Sequence, residues 1–272
     1  MRHVVKLNKA TGVRVPETVA ELGPGDSIGI GLCALLCGAE RYVGLDVVRF
    51  ADLSGNLDVL DELVSLLAAR TPIPDDTEFP RVKPKLDSYA FPSYILDDDT
   101  LTRALAPERV AALREQVQSG TGDRISYAAP WYAGEHIEAN SIDWIFSQAV
   151  LEHVDDLDGA YQAFSTWLKP DGIMSHQIDF KCHNMARLWN GHWAAPDWLW
   201  RVVRGRRPYL LNREPISTHM DLLERYGFSV ADVERVASDD GYDRDRLPRR
   251  FQELLDIDLT TSGAFVIAHR RR

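Results

Sequence analysis

The sequence predicts an α/β protein, a mostly parallel sheet of seven strands with helices on both faces. Three observations lead there. Residues 18–50 run strand, glycine turn, helix, strand, acid. Residues 142–180 run strand, helix, strand. Two further apolar runs, Phe228 to Val236 and Ala264 to His269, close the chain as a strand pair. Strands that alternate with helices pair in parallel, because each helix carries the chain back along the sheet before the next strand begins.

The first stretch reads TVAELGPGDSIGIGLCALLCGAERYVGLDVVRF. Its apolar opening ends in Glu21 and meets Gly23-Pro24-Gly25. Asp26 and Ser27 can then cap a helix that continues from Ile28 to Ala39. A second strand, Tyr42 to Leu45, ends at Asp46. Glycines let a turn approach a ligand closely, and the helix start presents unpaired N–H groups beside it. An acid roughly 20 residues past such a turn is placed to accept hydrogen bonds from a ribose. The dinucleotide fingerprint G-x-G-x-x-G fits poorly, since Ile28 holds the third glycine position and Gly29 comes one residue late. Asp26 would also set a carboxylate beside a pyrophosphate.

An insertion is predicted at 51–123. Asn56 can cap a helix from Leu57 to Arg70, with Leu60, Leu63, Val64 and Leu67 on one face. Thr71 to Pro92, with Pro72, Pro74, Pro80, Pro84 and Pro92, reads as a mobile loop. A second helix, about Asp99 to Gln118, is divided at Pro107. The segment is too apolar for a disordered linker and is expected to form a helical cap that covers the active-site edge and closes on substrate. Arg124 to Ala129, Ile142 to Ser147 and Ile173 to Phe180 are the next strands. Leu157, Ala160, Tyr161, Phe164 and Leu168 make one face of a helix that Lys169-Pro170-Asp171-Gly172 ends. A last helix, Ser217 to Tyr226, should turn Met220, Leu223 and Tyr226 inward.

Glu21, Gly23 and Gly25 resemble motif I of the class I S-adenosylmethionine-dependent methyltransferases, with Ser27 where a third glycine is common. Asp143, Ser147, Val150, Leu151, Glu152, His153, Val154 and the Leu168-Lys169-Pro170-x-Gly172 ending resemble the same class, particularly the large group that includes ubiquinone and menaquinone biosynthesis methyltransferases. The resemblance covers about 18–50 and 124–180. It implies a Rossmann-like methyltransferase domain over 1–272 and S-adenosyl-L-methionine as cofactor. It also implies that Glu21, Gly23, Pro24, Gly25, Asp46, Val47, Ser147 and Gln148 bind that cofactor. It leaves the acceptor open, because one fold hosts many.

Residues 174–213 crowd His176, His183 and His192 with Trp189, Trp193, Trp198 and Trp200. Such a mixture suits an acceptor pocket, or an amphipathic segment closing the sheet edge. The spacing of the histidines matches no ordinary metal motif, so no metal is expected. Arg201, Arg204, Arg206 and Arg207 make a basic face that could meet a phosphate.

Methyl transfer from a sulfonium is an in-line attack, so placement of the acceptor supplies much of the rate. An alcohol acceptor also needs a base. His153, after the fourth strand, and Asp179 with His183, after the fifth, are the candidates. His136, Asp87 and Tyr89 stand in reserve. The turn GPGDSIG and the strand SHQIDF resemble methyltransferases of bacterial surface-glycan and sugar pathways, which implies O-methylation of a sugar hydroxyl. A lipid, quinone or natural product is the alternative acceptor, and a non-catalytic cofactor-binding module the alternative role.

A net charge of −10 disfavours nucleic acid as a partner. The longest apolar run, Ile28 to Ala39, is too short to span a bilayer. Cys33, Cys37 and Cys182 form no disulfide framework and read as small core residues of a cytoplasmic protein.

Overall fold

The computed structural model describes residues 1–272 except 53, 121, 133–136 and 208. Strands β1 (Thr18–Leu22), β2 (Arg41–Leu45), β3 (Ile125–Ala128), β4 (Ile142–Gln148), β5 (Leu168–Asp179), β6 (Phe228–Ala237) and β7 (Thr261–Arg270) form a seven-stranded sheet in the order β3-β2-β1-β4-β5-β7-β6. β1 pairs in parallel with β2 and β4, and β2 with β3. β6 and β7 run antiparallel, so the sheet is mixed. The helices are α1 (Arg2–Thr11), α2 (Gly29–Leu36), α3 (Leu57–Ala68), α4 (Asp98–Ala104), α5 (Pro107–Ser119), α6 (Leu157–Trp167), α7 (Asp197–Arg204), α8 (Ile216–Arg225) and two short pieces, α9 (Arg249–Gln252) and α10 (Asp256–Leu259). Among the described residues no helix is long and apolar enough to cross a membrane.

The chain divides into two compact units. One comprises residues 1–147, 167–175 and 272, the other 148–166 and 176–271. The first is organised where α2 meets β2. A methyl group on Gly31 would come within 2.2 Å of the Tyr42 ring, so only glycine lets the helix approach so closely. Tyr42 is fully buried and donates its hydroxyl to Glu21 Oε2 at 2.7 Å. Burial raises Glu21 to a pKa of about 7 against the pull of that hydrogen bond.

The start of α2 is capped differently from the sequence expectation. Asn56 Oδ1 accepts the Ile28 amide at 3.1 Å and the Ser27 hydroxyl at 2.5 Å, while Ser27 Oγ accepts the Gly29 amide at 3.1 Å. Asp26 is exposed, and Asn56 makes no side-chain cap to α3, the helix it precedes. α2 also ends sooner than expected, at Leu36, where Gly38 turns at a φ of 116°. Asp143 accepts the Thr18 amide at 2.9 Å and the Lys169 ammonium at 2.8 Å, tying β1, β4 and β5 together. Pro107 stands in the first turn of α5 and separates it from α4, as its missing N–H requires. The proline-rich stretch is fastened to α1. Arg2 donates to the carbonyls of Pro74, Val82 and Pro84 at 2.8, 3.2 and 3.0 Å, with its guanidinium over the Tyr89 ring.

In the second unit the aromatic segment packs around a buried cation. The Arg213 guanidinium lies 5.0 Å from the Trp200 ring centre and 4.5 Å from that of Phe251, and donates to the Ala195 carbonyl at 2.7 Å. Trp193 stacks on Phe251 and donates its indole N–H to the Arg213 carbonyl at 3.0 Å. Two expectations are corrected. Lys169-Pro170-Asp171-Gly172 lies inside β5 and not in a turn before it. α8 buries Ile216, His219, Leu222 and Leu223, so Met220 and Tyr226 sit at its margins. His219 takes the core position because Tyr161 Oη lies 3.0 Å from its Nδ1 and burial holds the ring uncharged, with a pKa lowered to about 3.

Two outcomes follow from the packing of the first unit. Gly31→Ala should destabilise the protein by up to about 2 kcal/mol in denaturant unfolding, an overpacking cost of about 1–3 kcal/mol set against a gain of roughly 1 kcal/mol in helix propensity. Unchanged stability would mean that Tyr42 yields freely. Glu21 has a folded pKa above its unfolded one, so its contribution is fully present below about pH 4.5 and is lost as pH rises through about 7. The wild type should therefore lose roughly 3 kcal/mol between those limits from this group. Glu21→Gln should flatten that slope in unfolding midpoints compared at pH 5 and pH 8.

Candidate active site

The residues assigned to the cofactor lie mostly in the first unit. Gly23 and Gly25 turn with φ of 71° and 72°, a left-handed conformation that a side chain would strain. A methyl group on Gly25 would meet nothing within 4 Å, so the turn is open on that side. Its other side is laced to the strand ends. The Gly23 amide donates to the Leu45 carbonyl at 2.7 Å, and the Gly25 amide to Asp46 Oδ2 at 3.1 Å. Asp46 Oδ1 accepts the Val47 amide at 2.7 Å. The Asp46 backbone is itself held, its N–H by Ala128 at 2.9 Å and its carbonyl by the Trp131 amide at 2.8 Å.

Asp46 is only 5% exposed, yet each carboxylate oxygen accepts one backbone amide and keeps acceptor capacity for a hydroxyl. An open glycine turn tied to such a carboxylate fits a nucleoside cofactor with ribose hydroxyls. Pro24 and Val47 are half-buried beside it, and Ser147 is fully buried at the end of β4. Glu21 is buried and bonded to Tyr42, which makes it the support of the turn from below.

The residues assigned to acid–base chemistry meet within the second unit, where Gln148 is also half-buried. The rings of His153 and His183 lie 5.1 Å apart, edge to face. His183 Nε2 lies 3.6 Å from Asp179 Oδ2. His153 Nδ1 is 2.8 Å from the Tyr209 carbonyl, which can only accept, so Nδ1 carries the proton and Nε2 the lone pair. Burial lowers the His153 pKa, and the neighbouring His183 pushes the same way. Asp179 is raised by burial, but the His183 contact, the Lys181 amide and the Lys181 charge outweigh this and hold it below the usual carboxylate range. The loop before α8 fixes the turn that carries His153. Asn212 Nδ2 donates to the carbonyls of Leu151 and Val154 at 2.7 and 2.9 Å, and its amide to that of Glu152 at 2.8 Å.

Sequence reading passed over several residues here. Glu152 is 3% exposed, and neither carboxylate oxygen has a hydrogen-bond partner. Burial raises its pKa to about 8. Its place between Leu151 and His153 in a matching motif was the available signal. Asn212, Tyr209 and Arg213 lie far off in sequence and carried none. The crowded tryptophans separate: Trp189, Trp193 and Trp200 are buried, and Trp198 is 64% exposed. His176 stacks on Phe164 in the core, and burial lowers His192 to a pKa of about 3. Arg204 pairs with Asp155, while Arg201, Arg206 and Arg207 are exposed. Among the reserve candidates, Asp87 pairs with Lys9 at 2.6 Å and the Tyr89 hydroxyl bonds Asp76 at 2.7 Å. His136 lies outside the described residues.

Residues 105–175, from α5 through most of β5, match the model of the methyltransferase domain family. The fold is similar to an S-adenosylmethionine-dependent methyltransferase from Mesorhizobium loti, at 16% identity, with 99% of this chain and 98% of that chain covered and a TM-score of 0.51. A candidate sarcosine dimethylglycine methyltransferase from Galdieria sulphuraria has 12% identity, 99% and 84% coverage and a TM-score of 0.51. No curated protein matches the chain in sequence. The family match from α5 into β5 is to a methyltransferase domain, and the mixed seven-stranded sheet is a fold similar to that of solved S-adenosylmethionine-dependent methyltransferases.

Proposed function

We propose that the chain is a class I S-adenosylmethionine-dependent methyltransferase that acts on an oxygen of a small or medium acceptor, such as a sugar hydroxyl. The observation that carries the reading is the arrangement of His153, His183 and Asp179. An imidazole held neutral, with its lone pair on Nε2, stands beside a second imidazole backed by a carboxylate. A hydroxyl nucleophile needs such a base, whereas an amine that is already neutral does not. Trp198, exposed on α7, offers an aromatic face to a sugar ring. In the other unit, Gly23, Pro24, Gly25, Asp46, Val47 and Ser147 would hold the cofactor, and Gln148, the last residue of β4, is the remaining candidate for it. The cofactor supplies an electrophilic methyl group when bound. We read 51–123 as a cap on the domain and 174–213 as the acceptor segment. The free thiols of Cys33, Cys37 and Cys182 suit a reducing cytoplasm.

Asp46→Ala should weaken S-adenosylmethionine binding by about 1.5–3 kcal/mol, roughly 10–100-fold in calorimetry, because a charged acceptor is lost. Affinity equal to wild type would remove Asp46 from the site. His153→Ala, Asp179→Ala and His183→Ala should be compared at saturating cofactor on a panel of labelled acceptors. The variant that removes the base should lose about 10²–10⁴-fold in turnover with cofactor affinity kept. A slow residual reaction should survive from placement alone. Near-native turnover in all three overturns the base assignment.

A further inference from the structure

Glu152 is the residue that the acid–base reading leaves unexplained. A carboxylate taken out of water without a partner carries a large penalty, and buried polar groups are normally paired. Yet Glu152 is only 3% exposed and neither carboxylate oxygen makes a hydrogen bond of ordinary geometry, although the Glu152 and Asp179 amides pull weakly against the effect of burial. One ligand atom each from Glu152, His153 and His183 lie within 4.8 Å of one another. Donors around a common ion at bond lengths of about 2.0–2.2 Å are roughly 3–4 Å apart. Closing by about an ångström would complete such a shell.

The surroundings are those a metal-binding histidine needs. A ligating imidazole donates its second N–H to a carbonyl or carboxylate, which fixes its tautomer and orientation. His153 Nδ1 meets the Tyr209 carbonyl at 2.8 Å, leaving Nε2 as the free donor atom. His183 has the Asp179 carboxylate 3.6 Å away. The backbone of the turn is clamped by Asn212, so the ligands of the 151–153 turn do not depend on the ion to hold their place.

We propose that Glu152, His153 and His183 bind a divalent transition-metal ion. Two imidazoles and one carboxylate suit zinc and its first-row neighbours better than magnesium or calcium, which prefer oxygen. Three protein ligands leave a coordination position for water or for an oxygen of the acceptor. The ligand spacing, adjacent residues and then one thirty positions on, is why no sequence motif announces the site. The inference goes beyond the methyl-transfer reading and stands on metal binding alone; the ion and the base reading use the same His153 lone pair, so with the ion bound His153 does not serve as the base.

Metal-stripped full-length protein should be titrated with Zn²⁺ by calorimetry and with Co²⁺ by visible absorption. One equivalent should bind, and the cobalt spectrum should report nitrogen and oxygen ligands. Glu152→Gln and His183→Ala should each weaken binding by more than about tenfold, since even outer partners of such ligands matter by about 10–100-fold. Glu152→Gln keeps the shape of the side chain, so its thermal unfolding without metal should match or exceed wild type, while Zn²⁺ should raise the unfolding temperature of the wild type only. The proposal is overturned if the wild type takes up no zinc, if both variants bind as the wild type does, or if cobalt shows a thiolate charge-transfer band that puts the ion at the cysteines.

Discussion

The contact of the Tyr42 ring with Gly31 sets the geometry on which the first unit depends. It draws α2 down onto β2 and buries the tyrosine completely, and its hydroxyl then has one partner, Glu21. Glu21 stands on β1 two residues before the first glycine of the turn. Helix, two strands and turn are thus fixed by one aromatic ring. The carboxylate of Asp46 completes the arrangement from the end of β2 by accepting the amides of Gly25 and Val47. The Gly23 and Gly25 amides are committed to the strand ends, and the turn stays open where a Gly25 side chain would stand.

Electrostatics divides the two units. In the first, the buried acid Glu21 is raised towards neutrality, and its oxygen is used to hold a phenol. In the second, imidazoles and carboxylates stand within reach of one another but few are fully satisfied, and His192, His219 and Glu152 all shift towards their uncharged forms. A core that tolerates so many unsatisfied polar atoms is held by aromatic packing instead. Trp193, Phe251 and Trp200 enclose Arg213 and supply that rigidity.

Most of the fold was legible in the sequence, because glycine turns, alternation of apolar runs and proline positions act locally. All seven strands and the break at Pro107 were read from such signals. What escaped depends on distant partners. Gly31 looks like any helical glycine until Tyr42 is placed against it. Asn56 precedes its own helix as a cap should, but its side chain serves α2. At the candidate site the three residues expected to do acid–base chemistry come together, since Asp179 ends β5 and His153 and His183 follow the ends of β4 and β5. Glu152 was visible only as one letter of a motif. Its significance lies in what it fails to bond, and a sequence does not display missing partners.

The enclosure of Arg213 has a consequence for how this protein can change. The guanidinium joins the carbonyl of Ala195, just before α7, to aromatic rings on α7 and α9. The outer surface of α7, with Trp198, Arg201 and Val202, takes no part in that enclosure and faces solvent. Drift in sequence there leaves the anchor untouched. Substitutions can accumulate on that exposed helical face while the buried arginine preserves the frame beneath it.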